Sequence, residues 1–433
     1  MGLLGILNTD PEAEKALKKT FETDEGKKYR LKTVGNNEEE LYYFLNFDLP
    51  ELVLVNFSDP VIDIDLFAEK IRNDSWLHNF GIVGIYDRKI SKETDILNRM
   101  KDINVLTLLD KSKITSHLVK ALNIIDRNRQ IIFHMELTDK LVDRATGSFS
   151  IANDPLAASV YAGIAATTLY QRRFIGSEDK VQLQVALSEL ILNAIEHGNC
   201  KITFAEKTEY LNNGGSMIDL IAKKCENPKV AAKRVFFEWE IGQDSTRFVI
   251  RDEGDGFDVE KYKTRLKNSD PGALHGRGIL MARALAEKLY YNTSGNTVVL
   301  VINHKSLDPK ITPMGFSHDE VVFIKKDEVV FQQGESSDFL YYISSGTFTV
   351  YNGDIPVGKL TPADIFMGEM SFLLNNRRSA TVKADKKGKL VKISRQSFIS
   401  VIKEYPHYGI FLSKLLARKL VRSNNRLSSE DEG

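Results

Sequence analysis

Glu189, Asn193 and His197 stand four residues apart in ALSELILNAIEHGN, residues 186–199. On a helix they form one polar stripe beside an apolar stripe of Leu187, Leu190, Ile191, Ala194 and Ile195. Such a helix packs into a domain and turns a carboxylate, an amide and an imidazole toward one space, unless the stagger is only a polar surface. Downstream, RDEGDGFD (251–258) ends an apolar stretch with acidic residues and two glycines, a pattern equally suited to a calcium loop or a solvated hairpin end. LHGRGILMARALA then sets Gly276 and Gly278 ahead of a helix, where backbone N–H groups can meet a phosphate. A separate place is MGEMSFLLNNRRSATV, residues 367–382. There Gly368 opens a short helix, and Arg378 carries a planar guanidinium suited to phosphate.

The elements that must position these residues fall into three segments. At about 150 residues per domain, 433 residues suggest three domains. Up to about Ile125, the apolar runs LLGILN, YRLKTV, ELVLVNF, GIVGIYD and INVLTLL read as strands. PEAEKALKKTF, NEEELYYFLNF, IDLFAEKIRND and SKITSHLVKALNII read as helices, and this alternation predicts a parallel sheet covered on both faces. DRNRQIIFHMELTDKLVDRAT reads as one connecting helix. The middle segment is α+β: the helix DPLAASVYAGIAATTLYQRR, a hairpin of RVFFEWEIG and TRFVIRD, the helix GILMARALAEKLYY, and the strand TVVLVIN. From about Val321, short strands recur between turn glycines at 334, 346, 353, 358 and 368 and end in helical stretches, as in an all-β roll.

Lys plus Arg and Asp plus Glu both total 59, so net charge offers no handle for nucleic acid or an anionic membrane. No apolar run reaches the roughly 18 residues that cross a bilayer. With two cysteines, Cys200 and Cys225, neither a disulfide framework nor a cysteine-rich metal site is expected. A reduced, cytoplasmic setting follows as the default.

In order, the middle motifs resemble the GHKL, or Bergerat-fold, ATPases, and most of all the anti-sigma-factor serine kinases, over roughly residues 150–303. The resemblance implies ATP and Mg²⁺ as cofactors. It makes Asn193 the Mg²⁺ ligand, Asp252 the acceptor for the adenine amino group, and Glu189 the general base. Gly254 and Gly256 would close over the base, Gly276 and Gly278 would cradle the phosphates, and Thr297 would sit near adenine. His197 is expected to cap the helix end. The stretch 201–233 is longer than the family's usual connection.

The first segment resembles response-regulator receivers, with Pro60 at the family's offset from the third strand. Asn56 stands where that family has its phosphate-accepting Asp, and Asn8, Thr9 and Asp10 replace much of the acidic pair. Lys111 matches the family lysine. A pseudo-receiver used for docking or dimerisation is implied, with Asp59 as a substitute acceptor the alternative.

The third segment resembles cyclic-nucleotide-binding domains over about residues 320–425. That likeness assigns Arg378 to the cyclic phosphate, Glu369 to the ribose 2′-OH, and Gly368, Met370, Ser371, Ser379 and Ala380 to the remaining contacts. Arg377 departs from the family's common Pro. The ligand favoured is cAMP, with cGMP open.

The fold class expected is therefore multidomain. A doubly wound parallel sheet (1–127) and a connecting helix (128–147) precede an α+β ATPase fold (148–305). A linker (306–319) then leads to a β-roll with flanking helices (320–433). The leading function is a serine/threonine protein kinase regulated by cyclic nucleotide. Its substrate would be a partner such as an anti-sigma-factor antagonist, without nucleic acid or membrane, and homodimerisation is a family habit. A histidine kinase using His134 fits less well, because residues 128–147 are too few for a two-helix dimerisation hairpin. A non-catalytic scaffold binding ATP and cAMP is the third reading.

Overall fold

Apolar runs bounded by turn residues become the strands of a parallel sheet in the N-terminal segment. Its strands are β1 (Leu3–Leu7), β2 (Arg30–Thr33), β3 (Leu52–Asn56), β4 (Gly81–Tyr86) and β5 (Val105–Asp110), in the order β2-β1-β3-β4-β5. Strands β3, β4 and β5 are almost wholly buried, as expected when helices cover both faces. The computed structural model describes residues 3–34, 38–73, 80–128, 145–172, 174–242, 244–259, 277–305, 314–362 and 364–417.

Helix α1 (Pro11–Phe21) shows why these elements form where they do. The Asp10 side chain accepts from the amides of Glu12 and Ala13, Pro11 takes a position that needs no N–H, and Lys18 and Lys19 close the last turn. Ala13, Leu17 and Phe21 form its buried face. Helices α2 (Glu38–Phe47) and α3 (Ile64–Asn73) follow the expected pattern. Helix α4 (Glu93–Arg99) was not expected: two turns with only Ile96 and Leu97 buried leave too little periodicity to read. Helix α5 (Ile114–Arg127) follows β5.

By compactness the chain divides into two units: residues 1–92, 102–104 and 308–433, and residues 93–101 and 105–307. In the second unit, β6 (Ala145–Ile151) starts an antiparallel sheet ordered β6-β7-β8-β10-β9. Ala145 and Thr146 thus lie in a strand, where the sequence suggested the end of the connecting helix; pairing with Ile241 and Glu240 decides it. Helix α6 (Pro155–Gln171) is apolar nearly all round and closes on β5 at Gly163, where a Cβ would sit 1.8 Å from the Leu106 carbonyl oxygen. Helix α7 (Ser177–Asn193) packs beside it and runs into a π-helical turn, residues 194–199.

Three helices fill the long connection: α8 (Phe204–Asn212), α9 (Met217–Cys225) and α10 (Pro228–Ala231). Then come the hairpin of β7 (Val235–Ile241) and β8 (Ser245–Arg251), helix α11 (Arg277–Leu285), β9 (Lys288–Tyr291) and β10 (Thr297–Asn303). The expected helix GILMARALAEKLYY therefore stops early. Its tail pairs with β10, Tyr291 opposite Val298, and tertiary pairing of tyrosine-rich chain outweighs the local helical pattern.

In the first unit, residues 320–394 form two four-stranded antiparallel sheets. One is β11 (Glu320–Ile324), β18 (Gly388–Ser394), β13 (Phe339–Ser345) and β16 (Phe366–Met367). The other is β12 (Val329–Phe331), β17 (Thr381–Ala384), β14 (Phe348–Asn352) and β15 (Ile355–Leu360). Glycines 334, 346, 353 and 368 have positive φ, as turn glycines do. Gly358 does not: it lies within β15, beside an irregularity in the β14–β15 register. Phe366, Phe372 and Leu340 pack with helix α13 (Arg395–Glu404) and the helical residues 406–417. Among the described residues, no helix is long and apolar enough to cross a membrane.

Candidate functional site

Glu189 and Asn193 occupy the last turn of α7, one turn apart. Solvent reaches Glu189, yet the surrounding protein desolvates its carboxyl and raises it above the usual range, with Lys207 opposing the rise and Glu196 adding to it. Lys207 comes from α8 and meets the buried Glu196 at 2.6 Å. The π turn ends the regular stagger at Asn193, so His197 leaves the stripe. It is exposed, and its Nδ1 donates to the Ile202 carbonyl at 2.6 Å.

The acidic loop folds directly onto this turn. Asp252 is buried, and its Oδ1 accepts from the Gly254 amide at 2.8 Å. Burial pushes the Asp252 carboxyl up, against the lowering effect of backbone amides and Lys233. The glycines serve this approach. A Cβ on Gly198 would fall 2.3 Å from the Asp252 carboxyl carbon, and one on Gly254 would fall 2.3 Å from the Gly198 oxygen. Gly256, at φ +76°, lies against Ser294. The Asp252 amide donates to the Asn296 oxygen at 3.0 Å, and Thr297 opens β10 opposite Arg251. The structure thus brings Asn193, Asp252, Gly254, Gly256 and Thr297 to one region. Gly278 lies in the first turn of α11, which packs on α7, and Gly276 falls outside the described residues.

Two groups here escaped the sequence reading. Asn199, fully buried, accepts from the Glu253 amide and donates to Asn153 Oδ1, both at 2.8 Å. Asn153 in turn donates to the Val230 oxygen. This relay ties the long connection to the acidic loop. Its one sequence signal is a second asparagine six residues after Asn193. Lys207 and Glu196 gave none.

A second polar site lies between β13, β16 and the short helix α12 (Glu369–Leu373). Gly368, at φ +78°, caps that helix, and a Cβ there would come 2.2 Å from Arg378 Nη1. Arg378 is 3% exposed. Its Nη1 donates to the Gly368 oxygen (2.9 Å) and to Ser371 Oγ (3.2 Å), and its Nη2 to the Phe339 oxygen. Its guanidinium stacks over Phe331 at 4.3 Å. Its Nε is buried with no hydrogen-bond partner among the described residues. Glu369 and Ser371 are buried beside it, whereas Met370 is 57% exposed, Ser379 is exposed and Ala380 half-buried. Phe331, Tyr341 and Ser337 complete the surroundings; sequence reading had singled out none of them.

The end of β3 carries a third cluster. Asn56 Nδ2 donates to Asn8 Oδ1 at 2.7 Å, and Asn56 Oδ1 accepts from the Ser58 amide. Asp59, 3% exposed, accepts from the Thr9 amide and hydroxyl and from the Val61 amide. Lys111 opens a 3-10 turn after β5.

Residues 154–302 match the histidine kinase-like ATPase domain family, and residues 321–405 match the cyclic nucleotide-binding domain family. A cGMP-dependent protein kinase of Plasmodium berghei is 38% identical over 80 residues, 18% of this chain and 9% of that protein. The Pycsar effector protein BcPycTIR of Burkholderia cepacia is 28% identical over 134 residues, 31% of this chain and 43% of the relative. A cAMP-dependent protein kinase type II regulatory subunit of Drosophila melanogaster is 32% identical over 79 residues, 18% of this chain and 21% of that one. The chain therefore spans less than half the length of these relatives. Among solved structures, the catabolite activator protein of Thermus thermophilus is 24% identical, covering 27% of this chain and 57% of its own at a TM-score of 0.26. The chain carries a histidine kinase-like ATPase domain and a cyclic nucleotide-binding domain, beside an N-terminal parallel-sheet α/β domain.

Proposed function

We propose that the protein is an ATP-dependent serine/threonine protein kinase of the anti-sigma type, switched by a cyclic nucleotide. The observation that carries the kinase reading is the pairing of Glu189 with Asn193 on the helix whose end abuts Asp252. In this reading Asp252 accepts from the adenine amino group, which offsets its burial cost. Asn193 lends one oxygen to Mg²⁺, a hard cation that takes its other ligands from phosphates and water. The residues suit an ion that arrives with ATP: among the described residues, no three His, Cys, Asp or Glu side chains cluster to hold one alone. Glu189 takes the proton from the substrate hydroxyl, and its raised carboxyl makes it a better acceptor than an ordinary glutamate. Gly278, in the first turn of α11, and Gly276 would meet the phosphates.

The switch reading rests on Arg378. A buried guanidinium with one N–H unsatisfied suits an anion such as a cyclic phosphate. The named relatives include a cGMP-dependent protein kinase and the regulatory subunit of a cAMP-dependent one, so the base is left to experiment, with cAMP preferred. The substrate would be a partner-switching protein such as an anti-sigma-factor antagonist. The N-terminal sheet, read as a pseudo-receiver over residues 1–127, would dock partners or a second copy. The ATPase and β-roll parts would span residues 148–305 and 320–433.

The test uses purified protein, γ-labelled ATP, Mg²⁺ and host-cell extract, with and without cAMP or cGMP. The expected result is an acid-stable label on a small partner, altered by cyclic nucleotide and reduced on the order of 10²–10⁴-fold in Glu189→Gln. Acid-labile self-labelling lost in His134→Ala would instead support a histidine kinase; His134 lies outside the described residues. ATP binding without transfer in the presence of a reconstituted partner would leave a scaffold.

A further inference from the structure

We propose that Asn199 is a positioning residue for base selection: by holding the Glu253 amide, it aims the Asp252 carboxylate at the amino group of adenine. This role rests on the nucleotide reading above and adds to it the residue that sets the preference for a purine carrying that group.

Asn199 closes the π turn and is fully buried. A buried amide is costly unless its hydrogen bonds are made, and here both ends are used. Its Oδ1 accepts from the Glu253 amide and its Nδ2 donates to Asn153 Oδ1, each at 2.8 Å. The side chain therefore has one orientation, because turning the amide over would set oxygen against oxygen and N–H against N–H. Asn153 passes the constraint on by donating to the Val230 oxygen at 2.8 Å. Just beyond Val230 the same stretch returns to the loop, where the Arg234 amide donates to Glu253 Oε2 at 2.7 Å. Glu253 is thus gripped at its backbone by Asn199 and at its side chain by Arg234.

That grip bears on the residue before it. The Asp252 amide is bonded to the Asn296 oxygen at 3.0 Å, and the Gly254 amide donates to Asp252 Oδ1 at 2.8 Å. Oδ1 is therefore engaged within the loop, which leaves Oδ2 for an amino group. The bond at Asp252 goes to backbone, and the one at Gly254 goes to Asp252 itself. The bond at Glu253 is the one made by a side chain from outside the loop. Asn199 is accordingly where the aim of the carboxylate can be changed without altering Asp252 or its glycines.

The full chain with Mg²⁺ is titrated with a ribose-labelled fluorescent ATP. The label is then displaced by ATP or by purine riboside triphosphate, which carries hydrogen in place of the amino group. Wild type should favour ATP about tenfold, the worth of one hydrogen bond to a carboxylate. Asn199→Leu keeps the branched shape and removes the acceptor; it should weaken ATP alone and bring the two nucleotides to near-equal affinity. An aspartic acid held protonated by burial accepts from Glu253 and donates to Asn153 as the amide does, so Asn199→Asp should keep the preference. Asn153→Ala, at a half-buried position, should lower the preference by less. A preference kept in Asn199→Leu, an equal loss of both nucleotides there, or a loss as large in Asn199→Asp would overturn the positioning role alone. If Asn199→Leu does not fold, an unchanged preference in Asn153→Ala overturns it. Wild type that binds no ATP, or binds both nucleotides equally, would overturn the nucleotide reading and this role with it.

Discussion

The polar cluster at the end of β3 and the arginine pocket of the β-roll both bury strongly polar side chains, but among the described residues only the pocket leaves a group unsatisfied. Around Asn56, amide meets amide, and the Asp59 carboxylate is taken up by Thr9 and Val61. In the roll, Arg378 spends Nη1 and Nη2 on the protein and keeps a buried Nε–H without a partner among the described residues. Burying an unpaired donor is costly, and in the proposed reading a cyclic phosphate offsets that cost. A cluster that satisfies itself gains nothing from a phosphoryl group. The same ingredients thus describe a closed structural knot and a proposed recognition site.

The largest expected effect tests the open side. Arg378→Ala should cost about 3 kcal/mol of cyclic-nucleotide binding, a weakening on the order of a hundredfold measured by calorimetry. Affinity kept within a few-fold would remove the distinction between the two clusters. On the closed side, Asp59→Ala strands the Thr9 and Val61 donors and should lower unfolding stability by roughly 2–3 kcal/mol in urea, with cyclic-nucleotide affinity unaltered.

Asn56→Asp sharpens the contrast further. It sets a carboxylate against Asn8 Oδ1 and should destabilise by about 1–3 kcal/mol without taking label from acetyl phosphate. Stable labelling there would show a receiver one residue from activity. Gly368→Ala is milder. A left-handed alanine costs about 1–2 kcal/mol, and its Cβ displaces the Arg378 tip, so ligand affinity should fall several-fold in the same titration.

The smallest effect concerns Asp252, a buried carboxyl that belongs to neither type. Its folded value lies above its ordinary 3.8, so the folded chain holds the proton longer. Its contribution is fully present below 3.8 and is lost as pH rises through the folded value. Asp252→Asn should flatten that part of the urea-midpoint profile, and a slope equal to wild type would assign the dependence elsewhere.

Much of this architecture was legible because its signals are local. The bounds of α1 and β10 fall where the apolar periodicity and capping residues put them, and the boxes around Asn193, Asp252 and Arg378 are each contiguous. What escaped was short or paired at a distance. Helix α4 has two turns, β9 is a strand only because β10 lies beside it, and the π turn carries His197 off its stripe. Lys207, Asn153 and Phe331 reach their partners across long stretches of chain, where spacing has no memory of distance.

By itself, then, the sequence determined which residue types could meet nucleotides and on which elements they ride, because helix and strand periods are set by neighbouring residues. Tertiary structure alone decided which polar groups are satisfied and that, among the described residues, Arg378 keeps a donor in reserve. Burial and hydrogen-bond satisfaction are properties of contacts between distant segments, and these exist only once the chain has packed.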